Sequence, residues 1–290
     1  MTSITILGLG EAGRGFARGL AAAGADVRGY DPAQQSSDAA VRQMPTLAAA
    51  LADADVTLSL VAGHTAAAVA RDALPHLRAG SVFADLNSGS PDAKEQIAAA
   101  AAAHGVLMAD VAVLAPVGRA GHRTPLLASG DGASTFATAL GPFGVSVEVL
   151  DAPAGAAARR RLLRSVFMKG LGALTLEALT AADAAGAGAW LRDQIAAEFG
   201  GDGEALIDRM VSGTPRHAGR RVHEVRAAAA ELATLGTPAD ITHATLSWLE
   251  RLAAERGTEQ GTEQGGEPGA EPAAGQSAEP AAEPSAEQGR

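Results

Sequence analysis

The sequence predicts an α/β protein, with a doubly wound parallel sheet over residues 1–153 and an all-helical domain over residues 154–255. Three observations predict this. Residues 4–31, ITILGLGEAGRGFARGLAAAGADVRGYD, read as strand, glycine-rich turn, helix and second strand. Short apolar runs then alternate with helical stretches to about residue 151, the pattern of parallel strands covered on both faces by crossover helices. Beyond Ala154 the apolar spacing is helical, with no convincing strand.

Within the first unit, Gly8, Gly10 and Gly13 keep G-x-G-x-x-G spacing directly after an apolar strand. Gly8 permits the tight turn into the helix. Gly10 lets a pyrophosphate approach the backbone, and Gly13 lets the helix pack closely on the sheet. Glu11 and Ala12 open that helix, whose N-terminus can hold the anion. The spacing alone would fit an ordinary glycine-rich turn, so the context carries the argument. Asp31 closes the strand DVRGYD, 18 positions past the third glycine. There a carboxylate can accept both ribose hydroxyls of an adenosine and repel a 2′-phosphate. The following PAQQSS offers no arginine to clamp a phosphate. These residues predict NAD(H) in preference to NADP(H), which stays the alternative. For Asp31 the competing reading is a turn-capping role.

Further strands are expected at VTLSLV (56–61), SVFADLN (81–87), GVLMADVAVL (105–114), TPLLASG (124–130) and VSVEVLD (145–151). Helices are expected from Thr65 to Leu77, Pro91 to His104 and Ser134 to Leu140. Ligands of open α/β sheets bind beyond the carboxyl ends of the strands, so the loops after Val61, Leu86 and Val113 should face the cofactor cleft. Val61 and Ala62 are placed at the cofactor on this ground. In DLNSGSP, Asn87 and Ser88 can present hydrogen bonds near a nicotinamide or substrate, while Ser90 caps the helix opening at Pro91.

The helical domain opens with about thirty helical residues from Ala154 to Ala185, longer than most globular helices and suited to spanning a domain boundary. Helices follow at 189–199, 203–211, 218–235 and 238–254. Residues 256–290 are a degenerate repeat of Gly, Glu, Pro, Ala and Gln, expected to be a disordered acidic tail.

Composition narrows the function classes. At 290 residues the chain can bury two cores. It has no cysteine, and its seven histidines form no ligand-spaced cluster, so a metal site is not expected. Neither a signal pattern nor an apolar run near 20 residues appears, which predicts a cytoplasmic protein without a membrane partner. Of the net charge of −10, six charges fall in residues 257–290, which hold seven Glu and one Arg. No basic stripe is present to bind nucleic acid.

The order G-x-G-x-x-G, DLNSGSP, DVAVLAP and a long helix opened by a turn at Gly155 resembles the 3-hydroxyacid dehydrogenase and 6-phosphogluconate dehydrogenase superfamily. RLLRSVFMKGLGALTLEAL and RHAGRRVHEVRAAAAELATLG are similar to the C-terminal domain of a phosphogluconate-dehydrogenase-like subgroup, so the resemblance spans residues 1 to about 254. It implies a Rossmann domain, a helical domain that forms a homodimer, and a substrate held between them. The implied reaction is hydride transfer between nicotinamide and a hydroxy/oxo or amine/imine carbon of a small polar metabolite.

Several functional positions depart from the family pattern. In the hydroxyacid enzymes the Asp110 segment reads D-A-P-V-S-G-G and cradles the substrate carboxylate, whereas here Leu114 and Ala115 stand at those substrate-binding positions. The segment through Gly130 is also similar to imine reductases. Matching the family's glycine turn to Gly155 puts Arg161 at the catalytic lysine position and Ser165 at the asparagine position. Arginine cannot shuttle a proton at neutral pH, but its planar fork can hold an anion. Lys169 follows on the same helix; with Arg161 and Ser165 it forms a slanted stripe about 12 Å long. It is one of only two lysines among 23 basic residues and lies in an apolar stretch, where burial would bring its pKa toward neutrality for acid/base work. Counting back from Gly236 puts His223 and Glu224 at the family's Lys-Asp pair. His217, Arg220, Arg221 and Glu224 share a helix face and are expected to bind an anionic substrate or cofactor. Rival readings are imine reduction and a nucleotide-sensing protein without catalysis; the replaced lysine and the acidic tail speak for the latter.

Overall fold

The computed structural model describes residues 2–34 and 41–264. The chain divides into two compact units, residues 1–171 and 172–290. In the first, β1 (Ser3–Leu7), α1 (Glu11–Ala22) and β2 (Asp26–Tyr30) make the expected opening unit. Next come β3 (Arg42–Gln43), α2 (Leu47–Leu51), β4 (Val56–Ser59), α3 (Ala66–Ala73), β5 (Val82–Asp85) and α4 (Pro91–Ala103). The unit continues with β6 (Leu107–Val113), α5 (Val117–Ala120), β7 (Leu126–Ser129), α6 (Ala133–Leu140) and β8 (Val147–Val149).

The eight strands form one sheet in the order β3-β2-β1-β4-β5-β6-β7-β8. Strand residues alternate between its faces as the two-residue period requires. Val82 and Ala84 pack with Phe16 of α1 and Phe136 of α6, whereas Phe83 and Met108 join Ile97 of α4 on the other side. The pairing is parallel except between β6 and β7, which are antiparallel, so a wholly parallel sheet is corrected to a predominantly parallel one. The reason lies in residues 114–125. Their α5 has four residues, advancing roughly 6 Å, too little to return the chain along a seven-residue strand of roughly 23 Å. Ser90 caps α4 as expected, accepting from the Ala93 N–H at 3.2 Å with Pro91 in the first turn.

The long helix α7 (Ala156–Ala184) crosses the division between units. The division falls later than Pro153 because the first turn of α7 is tied to the sheet. Asp110 accepts from the Gly155 and Ala158 N–H groups at 2.9 and 3.0 Å, and Ser129 Oγ accepts from Ala157 N–H at 3.0 Å.

The second unit adds α8 (Gly188–Phe199), α9 (Gly203–Arg216), α10 (Ala218–Thr234) and α11 (Asp240–Gln264). Two expectations change. α9 continues past Val211 with Pro215 inside it, and His217 stands between α9 and α10. The stretch from Arg216 to Glu224 therefore belongs to two helices rather than one; Pro215 lacks the N–H that would extend the ladder without interruption. α11 runs on to Gln264, beyond the residue 256 where the acidic tail was expected to begin. Extending a formed helix through Glu and Gln needs no new nucleus. The rest of the expected tail, residues 265–290, lies outside the described residues, as do residues 35–40 after Asp31.

Glu177 of α7 holds the start of α11. Its carboxylate accepts from the Ile241 and Thr242 N–H groups at 2.7 and 2.8 Å and from Thr242 Oγ1 at 2.6 Å. Burial pushes its pKa up, but the hydrogen bonds from the Thr242 hydroxyl and the two N–H groups, with the charge of His243, outweigh that and lower it from 4.5. A depressed folded pKa means that the stabilisation is present above the unfolded value and fades as pH falls through the folded one. Glu177→Gln should cost about 0.5–2 kcal/mol at neutral pH, as for loss of a helix cap. Melting curves of both proteins should converge as the medium is acidified below that folded pKa. A gap that persists there would place the effect elsewhere.

Candidate functional site

Strand order reverses between β1 and β4, so the loops after them diverge and open a crevice at the carboxyl edge of the sheet. The glycine loop lies there. Gly8 has φ +92°, and a Cβ on it would run into the Leu60 carbonyl; a Cβ on Gly13 would run into the Gly8 carbonyl. At Gly10 an added Cβ would meet nothing within 4 Å. The loop is thus closed against its own backbone at Gly8 and Gly13 and open toward solvent at Gly10. No side chain caps α1 at Gly10, which leaves the first-turn N–H groups for an anion. These residues fit the pyrophosphate of a dinucleotide.

A cleft of about 510 Å³ extends from Gly8 and Gly10 past Asp31 to Val61, Ala62 and Asp72. One oxygen of Asp31 accepts from Leu9 N–H at 2.8 Å, and the other from Ala33 and Gln34 N–H at 2.8 and 3.0 Å. Asp31 therefore braces the glycine loop and caps its own turn while it lines the cleft. Two carboxylates and no Lys or Arg stand among the described residues lining it.

Leu60 and Val61 also line a second hollow of about 270 Å³, with Ala12, Asn87, Ser88 and Val113. Asn87 is not free to serve a ligand in the way its loop position suggests. Its Oδ1 accepts from Val61 N–H at 2.7 Å, and its Nδ2 donates to Ser59 Oγ at 2.9 Å and Asp85 Oδ1 at 2.5 Å. It joins the loops after β4 and β5. Ser88 and Arg161 are brought together: Arg161 Nη1 donates to Ser88 Oγ and Nη2 to the Gly89 carbonyl, both at 3.2 Å. Glu11 and Ala12 border a further hollow of about 380 Å³ with Arg119.

Other expected residues are placed differently. Leu114 packs against Ala112, Leu127 and Ala157, and neither it nor the half-buried Ala115 lines the two hollows. Ser165 is half-buried on α7, one turn after Arg161, while the Lys169 side chain lies outside the described residues. In the second unit His217 and His223 are exposed, Arg221 Nη1 donates to Thr214 Oγ1 at 2.8 Å, and the Glu224 side chain lies outside the described residues.

Sequence reasoning missed a buried ion cluster. Lys94 on α4, 1% exposed, donates to the Asp85 carbonyl at 2.7 Å and lies 3.0 Å from Asp85 Oδ2 and 3.5 Å from Asp110 Oδ1. The signals were present. Lys94 is one of two lysines in an arginine-rich chain, and both aspartates interrupt apolar strands.

Comparison with known proteins matches residues 3–140 to the NAD binding domain of 6-phosphogluconate dehydrogenase and residues 182–252 to a domain of unknown function, DUF1932. A protein of Mycobacterium tuberculosis named "Probable 3-hydroxyisobutyrate dehydrogenase" is 31% identical over 137 residues, 45% of this chain and 47% of that one. The match thus spans about half the length of such curated relatives. A conserved hypothetical protein from Sinorhizobium meliloti is 34% identical over 86% of this chain and 88% of its own, with a TM-score of 0.57. The imine reductase of Streptomyces aurantiacus shares the fold, with a TM-score of 0.74 at 21% identity over 88% and 95% of the two chains. Among the described residues no helix is long and apolar enough to cross a membrane. The glycine loop at the strand switch point and the paired domain matches agree, and the chain belongs to the 3-hydroxyacid dehydrogenase and 6-phosphogluconate dehydrogenase-like superfamily of NAD(P)-binding proteins.

Proposed function

We propose that the protein is an NAD(P)-dependent oxidoreductase that transfers a hydride between nicotinamide and a small polar hydroxy/oxo metabolite. The carrying observation is that the two hollows share Leu60 and Val61 as a common wall, with Arg161 held at Ser88, which lines the second. When bound, the cofactor supplies or accepts the hydride. Gly8, Gly10 and the first turn of α1 hold its phosphates, and Val61 and Ala62 line its path. Arg161 and Ser88 orient an anionic or polar group of the substrate, Lys169 exchanges a proton with the reacting oxygen or nitrogen, and Ser165 relays it through water. Imine reduction is the second reading. It is favoured by Leu114, whose apolar packing leaves that segment without a carboxylate cradle.

NAD(H) is the preferred cofactor on this reading, because a 2′-phosphate would face Asp31 and Asp72 with no Lys or Arg among the described residues of the lining. Titrations of NADH and NADPH followed by nicotinamide fluorescence test it. Asp31→Asn keeps an acceptor for the Leu9 N–H and should narrow the discrimination between the two cofactors. Asp31→Ala should weaken both, since it also releases the glycine loop. A wild-type preference for NADPH would overturn the assignment.

The partner expected for the helical part is a second copy of the chain. Leu163, Val166 and Phe167 on one turn of α7 are 66%, 74% and 59% exposed, an apolar surface that a homodimer would cover.

A further inference from the structure

The buried ammonium of Lys94 has no place in the scheme above, yet it stands between the strand that leads into the Asn87–Ser88 loop and the strand that anchors the start of α7. It touches the Asp85 carbonyl and both Asp85 and Asp110 carboxylates. Asp85 Oδ1 in turn receives the Asn87 N–H at 3.0 Å and its side-chain amide, and Asn87 fixes Val61. Asp110 Oδ2 receives the Gly155 and Ala158 N–H groups at the start of α7 and the Ser129 hydroxyl. One turn further on, Arg161 reaches back to Ser88 and Gly89. The Lys94 stem packs beneath that same loop, because a Cβ on Gly89 would lie 3.3 Å from Lys94 Cε.

One cation thus joins the loop after β5, the middle of β6 and the helix that carries Arg161. With two carboxylates the cluster holds an excess negative charge, which the N-terminus of α7 faces through Asp110. Buried ion pairs often stabilise a fold no more than apolar residues of equal volume would, so stability alone is a weak reason for this cluster. Geometry is the stronger one.

We infer that Lys94 is a positioning residue: its buried ammonium locks the Val61–Asn87 wall of the second hollow to the first turn of α7 and so sets where Arg161 and a nicotinamide ring can sit. This rests on the reading of that hollow as the nicotinamide side. The adenosine side, built on Gly10 and Asp31, meets the Lys94 network only through Val61, on the wall that the two hollows share. Ligands that share the adenosine and pyrophosphate but differ in the nicotinamide therefore separate positioning from a general structural role.

The test is calorimetric titration of NADH and ADP-ribose into the full chain, with melting temperatures recorded alongside. Lys94→Met leaves two carboxylates sharing a buried site and is at risk of misfolding. Lys94→Met with Asp85→Asn removes one charge of each sign. It leaves Asp110 with its three donors and lets the new amide face Asp110 Oδ1. In the double variant ADP-ribose affinity should stay within roughly twofold of wild type while NADH affinity falls roughly tenfold or more, the scale of a small misplacement of binding groups. A folded double variant that binds NADH as wild type does overturns the inference, and equal losses for both ligands with a lowered melting temperature reduce Lys94 to a structural role. If wild type binds NADH no better than ADP-ribose, the nicotinamide reading fails on that protein alone and the inference falls with it.

Discussion

Gly10→Val should yield a folded protein that no longer binds NAD(H), whereas Gly13→Val should compromise folding itself. The two glycines sit three residues apart in one motif, but their surroundings are opposite. Gly10 has φ −65° and ψ −169°, a backbone conformation open to any residue, and its Cβ position is surrounded by empty space. A valine there is tolerated by the fold and occupies the approach of a pyrophosphate to the α1 N-terminus. Losing two charge-assisted hydrogen bonds of about 1.5–3 kcal/mol each lowers affinity at least ~100-fold. At Gly13 the added carbon meets the Gly8 carbonyl, a backbone atom that cannot move without opening the β1–α1 turn, and the cost is ~3 kcal/mol or more. Circular dichroism melts and NADH titration of both variants check this. Tight NADH binding by Gly10→Val would remove the pyrophosphate from this loop.

That contrast was legible in the sequence, because glycine spacing after a strand encodes which backbone atoms come together. Seven of the eight strands and the helices of the second unit were legible because apolar runs bounded by turns, and apolar spacing near 3.6, persist over enough residues to be counted. What stayed hidden is what periodicity does not carry. β3 consists of Arg42 and Gln43 alone, too short for any pattern. The direction of β7 depends on the short α5, in a segment that could not be told from loop. Lys94 reads as a solvated first-turn residue of α4, and its burial follows only once Asp85 and Asp110 are side by side on neighbouring parallel strands. Asn87 was singled out by its loop position, but its hydrogen bonds could not be read there. Its spacing marked a loop at the cofactor edge, and the pairing of β4 with β5 turned its amide inward to Ser59 and Asp85.

Lys169→Met should lower turnover on the order of 10²-fold or more while leaving NADH affinity unchanged, the range for removing a general acid. Proton capacity differs along α7. An arginine side chain is no proton shuttle, and Arg161 already donates to Ser88 and Gly89, which suits it to holding an anion. Ser165 can relay a proton but not store one. Lys169 can do both if its site is desolvated. Arg161→Lys should chiefly raise KM, because a point charge replaces a planar fork without altering the proton path. If Lys169→Met keeps nearly full activity and Arg161→Lys loses turnover, Lys169 is structural. The proton would then come from water.

Hydride transfer is measured as oxidation of NADH by the full chain across a panel of small oxo acids, aldehydes and cyclic imines, with product identity checked by mass spectrometry. NADH consumption should be matched by reduction of a carbonyl substrate, faster than with NADPH. Reduction confined to cyclic imines would move the activity to the second reading. Tight NADH binding with no hydride delivered to any member of the panel would contradict the account and leave a nucleotide-binding protein without catalysis.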